Sequence, residues 1–215
     1  MAEEIFKKFA DQFGLPLIIN YDIYPDERQI DFGQDLETLV SSSGRVTTRC
    51  RVDIKASKSY AKWLMVEGHK FWSDAYIFIK INLPDGLLES LLEGNCSVSI
   101  SGEVSGFAYY FDLLDPKTKA PWFLYEQGDK FIDPASIKDI PKGIIKTPKD
   151  LKDWLVEKSK NNELNFLNVN QLSPTNYGLP ADWLRKSEEE WRSFFNWIKR
   201  SSHSEDDQII IRRFN

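Results

Sequence analysis

Apolar residues recur at helical spacing over residues 3–13, where Ile5, Phe6, Phe9 and Phe13 share one stripe and Gly14 supplies a stop. The period then shortens. LPLIINYDIY at 15–24 reads as a strand, Pro25 to Arg28 as a turn, and QIDFGQDLETLV at 29–40 as a second strand. Ser41 to Gly44 is a tight connection into RVTTRCRVDIKAS at 45–57, a third strand. KSYAKWLMVEGHKFW at 58–72 has the spacing of a helix weakened by Gly68, with Ser57 or Ser59 as its cap and Trp63 and Trp72 as packing residues. In DAYIFIKINL at 74–83 both alternating sets are largely apolar, so this strand is expected to be buried on both faces at the centre of a sheet.

The second half is less regular. Residues 85–93 suggest a short helix, and 96–111 look like strand material broken at Gly102 and Gly106. Residues 112–148 carry five prolines and read as loop-rich. Two helices follow: 148–160, with Thr147 as cap and Pro148 in its first turn, and 187–200, with Ser187 as cap and Glu190 at capping-box spacing. In the latter, Trp191, Phe194, Phe195 and Ile198 fall on one face and read as core rather than as stacking platforms. The aromatic stretch 106–125 is suited either to line a groove or to cover a sheet, and DQIIIRRFN at the end offers a last strand. These elements predict an α/β fold with a mixed central sheet flanked by helices and a C-terminal helical extension. The expected division is a core over 1–111 and a C-terminal region over 112–215, packed together.

Strand parity organises the polar residues. On the third strand Cys50, Val52 and Ile54 share one face, while Arg49, Arg51, Asp53 and Lys55 take the other. Asp31 and Asp35 lie on one face of the second strand, with Ile30, Phe32 and Leu36 opposite. A hairpin closed by Ser41 to Ser43 pairs Ile30 with Ile54 and Phe32 with Val52; only even slips keep the charges out of the core. Asp31 then faces Asp53, and Asp35 faces Arg49. Directly opposed carboxylates repel unless a cation lies between them. Mg²⁺ suits such a pair, because it takes hard oxygen ligands and binds one or two carboxylates together with substrate phosphate. The plainer alternative makes Asp35–Arg49 and Asp53–Lys55 ion pairs on a solvated sheet face.

Composition narrows the chemistry. The 215 residues include only two histidines and two cysteines, without a CxxC pair, which leaves little room for zinc sites, a disulfide framework or a Ser-His-Asp triad. No phosphate-cradling glycine loop is present, so no nucleotide cofactor is expected. No apolar run reaches membrane-spanning length, and the N-terminal segment is charged rather than signal-like, so a cytoplasmic protein without a membrane partner is expected. The net charge of −5 hides an uneven distribution: residues 1–44 hold nine acids against three bases, and 45–62 hold six bases against one acid. A second lysine-rich stretch runs from Lys138 to Lys152. Locally gathered bases can still hold a phosphate backbone.

An Asp followed after some twenty residues by Asp-x-Lys (Asp31, then Asp53-Ile54-Lys55), on this order of elements, resembles the PD-(D/E)XK nuclease superfamily, and type II restriction endonucleases in particular. The resemblance covers residues 3 to about 83. It implies a Mg²⁺-dependent endonuclease that hydrolyses double-stranded DNA at a specific site, leaves 5′-phosphates and acts as a homodimer. By the same resemblance Asp31 and Asp53 hold the metal with the carbonyl of Ile54, Lys55 activates the attacking water, and Glu3 or Glu4 adds a further acid. Arg49, Arg51 and Lys58 flank this site as candidate DNA-binding residues. The literal Pro-Asp pair is Pro25-Asp26, but Asp26 lies about 16 Å along an extended strand from Asp31, too far to share its ion. Two alternatives remain open: a repair or recombination nuclease of the same fold, and a non-catalytic DNA-binding or interaction module.

Overall fold

The computed structural model describes residues 1–15, 17–20, 35–38, 50–94, 99–141, 143–168, 175–201 and 209–212. The chain divides into two compact units, the first made of residues 1–61, 73–107 and 185–215, the second of 62–72 and 108–184. The boundary expected near 112 therefore falls after 107. Residues 185–215 belong with the N-terminal segment, and 62–72 belong with the later one. Both units are mixed α/β, and among the described residues no helix is long and apolar enough to cross a membrane.

In the first unit, α1 (Ala2–Asp11) buries Ala2, Phe6 and Ala10, one residue per turn. After it the chain turns away through Gly14, whose φ of +65° is the left-handed conformation that glycine adopts without a Cβ clash. β1 (Leu17–Asn20) runs parallel to β9 (Ile209–Arg212), the anticipated last strand, and β2 (Leu36–Thr38) runs antiparallel to it, giving the order β1-β9-β2. A second sheet has the order β3-β5-β6, from β3 (Val52–Lys58), β5 (Ala75–Asn82) and β6 (Ser101–Tyr109). β5 is central, and Ala75 to Ile79 are buried on both faces, as its sequence predicts. α2 (Leu87–Leu92) follows β5. In α4 (Glu188–Ser201), Trp191, Phe194, Phe195 and Ile198 are all buried. Their rings pack on Phe6, Phe9 and Phe107, with centroids as close as 4.5 Å between Phe107 and Phe194.

Three expectations are corrected. Residues 58–72 do not form a helix: after a turn at Ser59-Tyr60 the chain forms β4 (Trp63–Glu67) and a 3-10 turn over Gly68–Lys70. β4 pairs antiparallel with β8 (Asn176–Pro180), and long-range pairing of Trp63 to Val66 overrides a weak helical pattern. Ser57 and Ser59 consequently cap no helix, and Trp72 is exposed rather than packed. Second, β6 runs unbroken through Gly102 and Gly106. At Gly102 a side chain would meet Ile5 of α1 and approach the Lys80 carbonyl to 3.0 Å, so this glycine allows a close approach instead of ending the strand. Third, the described contact between the two segments of the expected hairpin joins Asp35 to Val52, where the expected register set Phe32 beside Val52; the expected cross-strand pairs each include a residue outside the described ones.

The second unit is a sheet of order β4-β8-β7, with β7 at Phe123–Tyr125, joined by α3 (Pro148–Lys160). Its core gathers Trp63, Phe123, Tyr125, Phe131, Ile132, Ile137 and Leu151. The Trp63 indole N–H donates to the Ile132 carbonyl at 2.8 Å, which satisfies a buried donor. α3 starts where its sequence says: Thr147 Oγ1 accepts from the Asp150 N–H, and Asp150 accepts in return from the Thr147 N–H.

Candidate active site

β3 carries Asp53 and Lys55 two residues apart, so both side chains leave the same face of the strand. The structure brings them together, with Lys55 Nζ 2.5 Å from Asp53 Oδ2. Asp53 is only 3% exposed. The lysine is close enough for charge pairing but off the line a hydrogen bond requires, and no other donor is aligned on that buried oxygen among the described residues. β5 runs parallel to β3 in a register that sets Tyr76 beside Asp53, Phe78 beside Lys55 and Lys80 beside Ser57, so these six share one face. Burial pushes the Tyr76 hydroxyl pKa upward, and the neighbouring Asp53 charge adds to the shift.

A second acid reaches β3 that the sequence reading assigned elsewhere. The Asp35 N–H donates to the Val52 carbonyl at 2.9 Å, and Asp35 Oδ2 accepts from the Ile54 N–H at 2.5 Å. Asp35 thus abuts the peptide that joins Asp53 to Ile54. The expected alignment set Phe32 beside Val52 and Asp35 beside Arg49; the contact with Val52 lies three residues further along. The reason is local: the Asp35 carboxylate takes the N–H that a backbone carbonyl would take in a regular ladder, and the next residues, Leu36 to Thr38, turn to β9. The parity shared by Asp31 and Asp35 was the available signal.

The other expected site residues separate. Asp31, Asp26 and Arg49 lie outside the described residues. The Arg51 N–H donates to Asp74 Oδ2 at 2.8 Å, and its guanidinium lies 3.6 Å from the same carboxylate, so this arginine ties the start of β3 to the start of β5. Lys58 belongs to the strand, where parity sets it on the face opposite Lys55; it is exposed and stands 5.7 Å from the Tyr60 ring centre. Lys62, the last base of the same run, pairs with Asp133 at 2.9 Å in the second unit. Glu3 is bonded to the N-terminal amine at 2.8 Å.

Among the described residues no three His, Cys, Asp or Glu side chains gather as a metal-holding group. Asp35 accepts from the Ile54 N–H, and Asp53 is the residue before Ile54 on β3. N–H and C=O of a residue point to the same edge of an extended strand, so the Ile54 carbonyl faces the edge on which Asp35 sits. In donor chemistry, carboxylates and a backbone carbonyl are the hard oxygen ligands that Mg²⁺ takes, together with water and substrate phosphate. Comparison with protein-family models, curated proteins and solved structures found no match for this chain.

Proposed function

We propose that the protein is a Mg²⁺-dependent DNA endonuclease in which Asp53, Lys55 and an acid from the preceding segment form the hydrolytic site. The observation that carries this reading is the buried Asp53 carboxylate, with Lys55 at 2.5 Å and Asp35 bonded one peptide away. Asp53, Asp35 and the Ile54 carbonyl would hold the ion, with Asp31 as a further ligand by resemblance. Bound there, Mg²⁺ would supply Lewis-acid polarisation of the phosphate and a more acidic water.

Lys55 does the remaining work from the protein side. Its side chain is about one-fifth exposed, so it is open to solvent and substrate while Asp53 anchors it. From there it orients the attacking water and donates to a non-bridging phosphate oxygen, whose charge rises in the transition state. The water oxygen gives up a proton to solvent and bonds to phosphorus as the P–O3′ bond breaks. The departing 3′ oxygen takes up a proton, leaving a 3′-hydroxyl and a 5′-phosphate. Site-specific cutting of double-stranded DNA by a homodimer, in the manner of type II restriction enzymes, is the finer form of the proposal.

The test is incubation of the purified protein with mixed plasmid DNA in Mg²⁺ or in EDTA, beside Lys55→Met. Cleavage that EDTA abolishes and Lys55→Met lowers by about 10²-fold or more supports the reading. Discrete bands would add site specificity. Retarded DNA that is never cut, or cutting indifferent to Lys55, would contradict it.

A further inference from the structure

The face that carries Asp53 and Lys55 continues towards the C-terminal ends of β3 and β5, and it opens in that direction. The Asp53 side chain is 4% exposed and that of Lys55 21%, and Ser57 and Lys80 beyond them are both half-buried. The parallel register pairs Ser57 with Lys80 and Lys55 with Phe78, so Lys80 is the diagonal neighbour of Lys55 on the same face. Every other base of the run that the sequence set near the site is engaged or displaced where it is described. Arg51 is tied to Asp74, Lys62 to Asp133, and Lys58 is on the opposite face. Lys80 forms no ion pair among the described residues. Its backbone is held firmly: it lies in the central strand of the sheet, and its carbonyl abuts Gly102 of β6, where an added Cβ would lie only 3.0 Å away.

A half-buried lysine without a carboxylate partner among the described residues is open to an incoming anion, and its backbone is already fixed by the strand. A phosphodiester engaged by Lys55 has neighbouring phosphates along the strand, and the diagonal cross-strand position lies within reach of a long side chain. We propose that Lys80 is a phosphate-binding residue of this site, holding a DNA phosphate next to the one that Lys55 faces, with Ser57 beside it as a neutral donor. The inference rests on the nuclease reading. It adds a residue from β5 to a site otherwise drawn from β3 and the segment before β2.

The test separates the two claims. Affinity of the full-length protein for a labelled random-sequence DNA duplex is measured over a series of salt concentrations, with Ca²⁺ in place of Mg²⁺, for the wild type, Lys80→Met and Lys80→Arg. Lys117→Met, at an exposed position of the second unit, is the control. Lys80→Met is expected to weaken binding about tenfold and to reduce the slope of log affinity against log salt by about one phosphate contact, whereas Lys80→Arg restores both. Thermal melts establish that both variants fold. If wild-type cleavage requires Lys55 but Lys80→Met leaves affinity and salt slope unchanged, the Lys80 assignment is wrong and the nuclease reading stands. If the wild type neither binds nor cuts DNA, both are wrong.

Discussion

Asp35 is the residue on which the proposed site turns. Its carboxylate accepts the Ile54 N–H, a role that asparagine can also fill through its carbonyl oxygen, so Asp35→Asn removes the charge and preserves the hydrogen bond. A metal-holding role predicts DNA cleavage reduced about 10²-fold or more with the melting temperature hardly changed. Unchanged cleavage in this variant would reduce Asp35 to a backbone clamp. Cys50 offers an independent check on the packing at the start of β3. Burial, reinforced by the Asp74 charge, raises its thiol from an ordinary 9.0 to about 11. The fold therefore favours the protonated thiol. That contribution is fully present below pH 9 and is lost as pH rises through about 11, so Cys50→Ala should flatten the fall in stability over this window. Urea midpoints measured between pH 8 and 11 check it. The spacing of Asp53 and Lys55 made their pairing legible from the sequence, because alternation along a single strand fixes it. The position of Asp35 was not legible, because it depends on a side chain replacing a carbonyl in a ladder.

At the scale of elements, caps and apolar stripes were readable and strand partners were not. Ser187 Oγ accepts the Glu190 N–H at 3.2 Å, and Glu190 accepts the Ser187 N–H at 3.0 Å, so the sequence alone located the start of α4. Ser187→Ala should cost about 1 kcal/mol, or roughly 2–4 °C in a chain of this size. A fall in pH should weaken the same cap: these hydrogen bonds hold the Glu190 carboxyl below its usual range, so the stability it adds is present above that range and is lost on acidification. β4 was misread as helix because its commitment comes from β8. At their contact Gly178 is needed, since a Cβ there would lie 3.0 Å from the Tyr125 ring and 3.3 Å from that of Trp63. Gly178→Ala should destabilise the second unit by about 1–3 kcal/mol, visible as a lowered guanidinium midpoint.

At the scale of the molecule, the chain leaves its first unit at residue 62, returns at 73, leaves again after 107 and returns at 185. No local signal marked these crossings, because no composition change or flexible linker accompanies them; they follow from which strands pair. The aromatic contacts of α1 with α4 make residues 1–111 an incomplete unit, since Phe6 and Phe9 lose Trp191 and Phe195. A fragment ending at 111 should lack a cooperative thermal transition by circular dichroism, whereas a stable fold in that fragment would argue against this division. The full chain keeps the Asp53–Lys55 pair and the Asp35–Ile54 hydrogen bond on which the proposed hydrolysis would depend. The most direct measurement is single-turnover cleavage of supercoiled plasmid by the wild type and by Asp53→Asn, each in Mg²⁺ and in EDTA. Mg²⁺-dependent conversion by the wild type, lost in EDTA and reduced about 10²-fold or more in Asp53→Asn, is the result expected. Equal activity of the two proteins, or none from the wild type on any DNA, would contradict the account.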